Sequence, residues 1–104
     1  MDSLNLFKDF LNAAGDDPRI GASHISLYMA LYQHWISNQC INPISIRRNE
    51  IMKTAKISGI ATYHKRIKEL NEYGYIQYLP SYRPKSNTKV YLSCFWNNKT
   101  KNVE

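Results

Sequence analysis

The chain has 104 residues, 43% hydrophobic and 12% aromatic, which is enough to fill one compact core and too few for two. No uninterrupted apolar run approaches the roughly 18 residues of a membrane-spanning helix, and the mean hydropathy is −0.51. The formal charge is +6 and it is unevenly placed. Residues 1–46 carry Lys8 and Arg19 against Asp2, Asp9, Asp16 and Asp17, a net of −2. Residues 47–104 carry 12 cations against Glu50, Glu69, Glu72 and Glu104, a net of +8. A basic half beside a mildly acidic half is the pattern of a polyanion-binding surface joined to a structural or oligomerisation segment. The plainer account of the same lysines is that they are solvated. Met1-Asp2-Ser3 lacks the basic stretch and apolar run of an export signal. Cys40 and Cys94 lack metal-ligand spacing, so two free thiols in a cytoplasmic protein are expected.

Leu4, Phe7, Leu11 and Ala14 share one helical face with Phe10 beside them, which predicts a helix within residues 1–14, stopped at Gly15. Asp16-Asp17-Pro18 is turn chemistry. Ser23 can cap a second helix that runs to about Asn38. Ile25, Tyr28, Leu31, Tyr32, Trp35 and Ile36 make a broad apolar stripe there, placing this helix at the centre of the core. His24 and His34 lie on it and read as packing or capping residues. Asn42-Pro43 then breaks the chain, and Ile44-Ser45-Ile46 alternates as a short strand.

Two helical patterns follow with little between them. Residues 48–55 turn Ile51, Met52 and Ala55 inward, and Lys56-Ile57-Ser58-Gly59 is a tight connector in which Ser58 or Gly59 can cap what comes next. Residues 60–73 form the second, with Ile60, Tyr63, Ile67 and Leu70 as the buried seam and Gly74 in the stop position. Residues 75–79 read as a strand, 81–87 as a basic turn and 89–95 as the returning strand. Tyr28, Tyr32, Tyr63 and Tyr78 fall on inward faces, whereas Tyr73, Tyr75 and Tyr82 are left open. No repeat or linker interrupts the chain, so residues 1–104 read as one domain: an N-terminal helix (1–14), a core (23–95) and a polar tail (96–104).

Two short helices on a tight turn, a glycine, and a hairpin with a basic tip occur here in the order found in the winged helix-turn-helix regulators, which residues 47–76 resemble. The resemblance is carried by Ile51-Met52, by Ile57 at the turn, by Thr62-Tyr63 opening the second helix, and by Ile67, Leu70 and Gly74-Tyr75-Ile76. With the hairpin and the Ser23 helix it covers about residues 23–95. Each motif is degenerate, and only the ordered combination is specific. It implies an α+β winged helix with an extra N-terminal helix, ordered α-α-β-α-α-β-wing-β. The function it implies is binding of double-stranded DNA, chiefly for transcription regulation, with no catalysis and no cofactor. A DNA-architectural accessory factor for excision or replication of a mobile element is a second reading. A winged helix used as a protein-interaction module is a third.

A recognition helix must bury one face and offer the other to the major groove. Opposite the buried seam lie Ala61, Thr62, Lys65, Arg66 and Lys68, with His64 at the margin. Gly59, Ala61 and Thr62 are small enough for close approach to a DNA backbone, and the helix N-terminus offers unpaired N–H groups to a phosphate. Thr62, His64, Lys65 and Lys68 are the candidates for base edges. Arg47, Arg48 and Lys53, on the preceding helix, are candidates for phosphates. The hairpin adds Arg83, Lys85 and Lys89, with Asn87 and Thr88 as neutral donors, suited to a backbone or a minor groove. The histidines and carboxylates form no HExxH motif, and no Cys-x-x-Cys or GxSxG occurs, so no catalytic, metal or cofactor residue and no small-molecule ligand is expected. The apolar face Leu4, Phe7 and Leu11, with Phe10 at its edge, is too large to leave in water. A homodimer through this helix is expected, with packing on the Tyr28–Trp35 helix of the same chain as the alternative. DNA binding would make the protein nucleoid-associated.

Overall fold

In the computed structural model, which describes residues 3–81 and 88–92, the element order is α1 (Ser3–Gly15), α2 (Ala22–Ser37), β1 (Ile44–Ile46), α3 (Arg48–Ala55), α4 (Ile60–Glu72), β2 (Gln77–Leu79) and β3 (Thr88–Tyr91). The fold is α+β, and the three strands form an antiparallel sheet in the order β1-β3-β2. Ile44 pairs with Val90 and Ile46 with Thr88, so the two-residue period turns Ile44, Ile46 and Val90 into the core and Ser45 and Lys89 away from it. Asn42 extends the ladder beyond β1. Its Nδ2 donates to the Leu92 carbonyl at 2.6 Å and its Oδ1 accepts the Leu92 N–H at 2.9 Å.

Helix α2 packs against α1, α3 and α4, as a helix apolar over much of its circumference must. Its buried residues are His24, Leu27, Tyr28, Ala30, Leu31 and Trp35. Leu27 therefore replaces the expected Ile36, which is 42% exposed, and Ile25 and Tyr32 are only partly covered. The expected cap at Ser23 is also replaced. Gly21 is the N-cap, and its N–H donates to His24 Nδ1 at 2.9 Å. His24 Nε2 then carries the ring proton and donates to Glu69 Oε1 at 2.7 Å, so one buried imidazole caps α2 and ties it to α4. Ser23 Oγ accepts instead from Arg66 Nε at 2.9 Å. His34 Nε2 donates to the Ser45 carbonyl at 3.0 Å, joining α2 to β1.

The buried line of α1 is Leu6, Phe10 and Ala14, not Leu4, Phe7, Leu11 and Ala14. Leu4 is 57% and Leu11 40% exposed, and Phe7 is half-buried. The aromatic partners account for the rotation. Phe10 stacks on Tyr28 with centroids 3.7 Å apart and planes 4° from parallel, and it meets Tyr75 edge-on at 5.4 Å. Phe7 stacks on Tyr32 at 5.0 Å, so α1 runs antiparallel to α2 and covers the core of its own chain.

The turn after α1 is fastened to the exit from α4. Asp17 accepts from Arg19 Nε and Nη2 at 2.9 and 2.8 Å and from the Tyr75 hydroxyl at 2.7 Å. The Arg19 guanidinium lies 4.0 Å from the Tyr73 ring centroid. Hydrogen bonds from Arg19, and then from Tyr75, hold the Asp17 carboxyl well below the usual carboxylate range. A carboxyl whose folded pKa is depressed stabilises the fold above its unfolded pKa and loses that contribution as pH falls through the folded value. Asp17→Asn should therefore be less stable than wild type at neutral pH, and its stability should fall less steeply between about pH 5 and pH 2. Urea unfolding across that range measures both slopes, and identical slopes would dissociate Asp17 from the acid response.

Helices α3 and α4 end alike. Lys56 (φ 62°) and Gly74 (φ 89°) take the left-handed conformation. The following N–H groups reach back, Ile57 to the Met52 carbonyl at 3.0 Å and Tyr75 to the Leu70 carbonyl at 2.9 Å. Ser26 Oγ caps the Ala55 carbonyl at 2.8 Å. Ile57 is buried by this reversal, while Ile60, expected in the seam, is 50% exposed. Ile60 is the first residue of α4, one turn short of the core that Ile57 fills. The strand expected over 75–79 begins only at Gln77, because Tyr75 and Ile76 are used in the buried exit from α4.

Candidate nucleic-acid interface

Tyr63, Ile67 and Leu70 anchor α4, and this determines what the rest of the helix presents. Ala61, Thr62, Lys65 and Lys68 are exposed, with His64 and Arg66 half-buried on opposite flanks. The two flanks differ in chemistry.

On the flank toward α2, Arg66 Nη1 donates to Glu69 Oε1 at 2.8 Å while its Nε holds Ser23. Glu69 also accepts from His24, and Arg66 first, then His24, pull its carboxyl below the usual range. Arg66 is thus committed within the fold and stands apart from the other cations of α4. The i,i+3 spacing of Arg66 and Glu69 was a signal for this pairing.

On the other flank, α4 and the sheet enclose a cleft of about 380 Å³. Arg48 reaches it from the first turn of α3, and His64 and Lys68, one turn apart, reach it from α4. Tyr78, Pro80 and Ser81 line it from the end of β2, and Thr88 from the start of β3. Tyr63 forms part of its wall, and its ring meets that of His64 edge-on at 5.3 Å. Burial pushes the Tyr63 phenol up to about 12. Among the described residues no carboxylate lines the cleft and no ion pair engages Arg48, His64 or Lys68.

The structure therefore brings together Arg48, His64, Lys68 and Thr88. Arg47 (the N-cap of α3) and Lys53 are exposed outside the lining of this cleft, and so is Lys65. Lys89 projects from the outer face of β3, where its Nζ donates to Ser45 Oγ at 2.6 Å. Tyr82, Arg83, Lys85, Asn87, Cys94 and the polar tail lie outside the described residues. The part of Tyr63, Tyr78, Pro80 and Ser81 in a cleft was not read from the sequence, which offered Tyr63 and Tyr78 only as inward-facing residues. Cys40 is an exposed free thiol. Among the described residues no three His, Cys, Asp or Glu side chains group as a metal site, and no helix is long and apolar enough to cross a membrane. Comparison with protein-family models, with curated proteins and with solved structures finds no match for this chain.

Proposed function

We propose that this chain is a winged helix-turn-helix protein that binds double-stranded DNA and acts as a transcription regulator in the nucleoid. In this reading α3 and α4 are the helix-turn-helix, α4 enters the major groove, and the β2–β3 connection is the wing. The observation that carries it is the outward face of α4. Ala61, Thr62, Lys65 and Lys68 stand exposed there, while the nearby carboxylate Glu69 is neutralised internally by Arg66. A helix that pairs Glu69 with Arg66 on one flank and leaves Lys65 and Lys68 exposed elsewhere is suited to a polyanion.

Base-edge and phosphate contacts separate by mutation. Lys65→Ala should change which duplex is preferred, by about 1–3 kcal/mol for a direct base contact. Arg47→Ala should weaken all duplexes alike. Fluorescence anisotropy with labelled specific and random duplexes measures both, and equal losses on both duplexes for both variants would defeat the division of roles. A mobile-element accessory role would add sharp bending of the duplex, read by energy transfer between its ends.

The proposal includes a homodimer on the flank of α1 that its own core leaves uncovered, Leu4 and Leu11 beside half-buried Phe7. A dimer would place two α4 helices on a two-fold-related site. Sedimentation should show a concentration-dependent dimer that Leu11→Glu abolishes without loss of fold, and a wild type that stays monomeric would remove this part. A second reading, as a protein-interaction module, is favoured by one observation. A mainly apolar groove of about 430 Å³ runs between α2 and α3, lined by Met29, Ala30 and Ala55 among others.

A further inference from the structure

The cleft between α4 and the sheet holds more than the proposed DNA contact requires. Two cations from different helices, Arg48 and Lys68, line it together with His64, and among the described residues no carboxylate does. Cations brought together without an anion repel one another, and a cleft lined by one sign of charge concentrates the field at its mouth. The complementary species is an anion that accepts several hydrogen bonds. Arg48 offers a planar fork to two oxygens and Lys68 a point charge, a pairing that matches a phosphoryl group. The hydroxyls of Tyr63 and Thr88 supply neutral donors at the same wall.

Size and the apolar part of the lining restrict the ligand further. At about 380 Å³ the cleft lies in the range of small-molecule sites, beyond what an inorganic anion fills. Tyr78 and Pro80 add apolar surface to its lining, and an aromatic ring there suits a sugar or a stacked base. We infer that this cleft is a nucleotide-sized phosphate-ester site, with Arg48 and Lys68 on the phosphate and Tyr78 and Pro80 against the attached sugar or base. The ester has two possible sources, a nucleotide within a DNA strand or a free nucleotide. For the first source the inference rests on the DNA reading above, and for the second it stands without it.

The test titrates the full chain with inorganic phosphate, with deoxyadenosine 5′-monophosphate and with labelled duplex, following the amide and imidazole resonances of His64 and Thr88. The wild type is compared with Arg48→Met/Lys68→Met. Arg47→Met/Lys53→Met is the control, since it removes the same charge outside the cleft, and all four residues are exposed. The nucleotide should bind more tightly than phosphate and shift His64 and Thr88. Arg48→Met/Lys68→Met should weaken it by about tenfold or more, as loss of a charged hydrogen bond predicts, with the control unchanged. If Arg48→Met/Lys68→Met also loses more duplex affinity than the control, the source is a DNA strand. If duplex binding is lost equally in both variants, or does not occur at all, while the nucleotide still binds the wild type, the source is the free nucleotide. The inference is overturned if the nucleotide leaves His64 and Thr88 unmoved and the two double variants bind duplex alike. In that case duplex binding by the wild type would leave the DNA reading intact.

Discussion

Phe10→Ala is expected to destabilise the chain by about 3–5 kcal/mol, a large part of the roughly 5–15 kcal/mol that holds a small domain together. The ring is completely buried and has two aromatic neighbours, Tyr28 face to face and Tyr75 edge to face. Truncation forfeits the transfer of the ring from water, both aromatic contacts, and the packing of whatever cavity the neighbours fail to close. Tyr75 makes the damage non-local, because its hydroxyl anchors Asp17 and its backbone closes the exit from α4. Leu11→Ala, in the same helix but on a side chain 40% exposed, should cost less than about 1 kcal/mol. Thermal or urea unfolding at low protein concentration measures both. A mild Phe10→Ala beside a severe Leu11→Ala would mean that the Leu4–Leu11 face is the buried one, in an assembly that survives dilution.

The contrast between Phe10 and Leu11 shows what the sequence could and could not convey. Helix boundaries were legible because local chemistry sets them: Gly15 and Gly74 as stops, Asn42-Pro43 as a break, two-residue alternation in Ile44-Ser45-Ile46. The facing of α1 was not, because Leu4, Phe7 and Leu11 and the line of Leu6, Phe10 and Ala14 are both acceptable apolar stripes. Tyr28 and Tyr75 choose between them, and they are distant in the chain. Ser23 is a good cap by type, yet the N-cap is Gly21, whose N–H is held by His24, itself tied through its other nitrogen to Glu69, 45 residues on. Ile60, expected in the seam, stays exposed, and the left-handed turn at Lys56 folds Ile57 inward instead. The cations of the candidate interface were visible as residues but not as a site. Arg66 is withdrawn by Glu69, whereas Arg48, His64, Lys68 and Thr88 meet only when the sheet closes against α4. A cleft assembled from four chain segments leaves no spacing to read.

That division among the cations carries the prediction with the largest functional effect. If Arg47, Arg48, Lys53 and Lys89, with Arg83 and Lys85 of the proposed wing, together neutralise about six phosphates, log K for duplex DNA should fall with log salt at a slope of roughly −5. Between about 50 and 200 mM salt that is a loss of about a thousandfold in affinity. The slope also tests individual residues. Arg48→Ala should make it shallower by about one, the share of a single phosphate contact. Arg66→Ala should leave it nearly unchanged while lowering the melting temperature, because the Arg66 guanidinium already serves Glu69 and Ser23 and contributes little free charge. Equal changes in slope for the two variants would show that Arg66 leaves Glu69 on binding and that the pairing in the free protein is a resting arrangement. A slope near zero for the wild type would remove the DNA reading altogether. The free nucleotide would then remain as the anion for Arg48 and Lys68, and the apolar groove between α2 and α3 would become the first place to look for a protein partner.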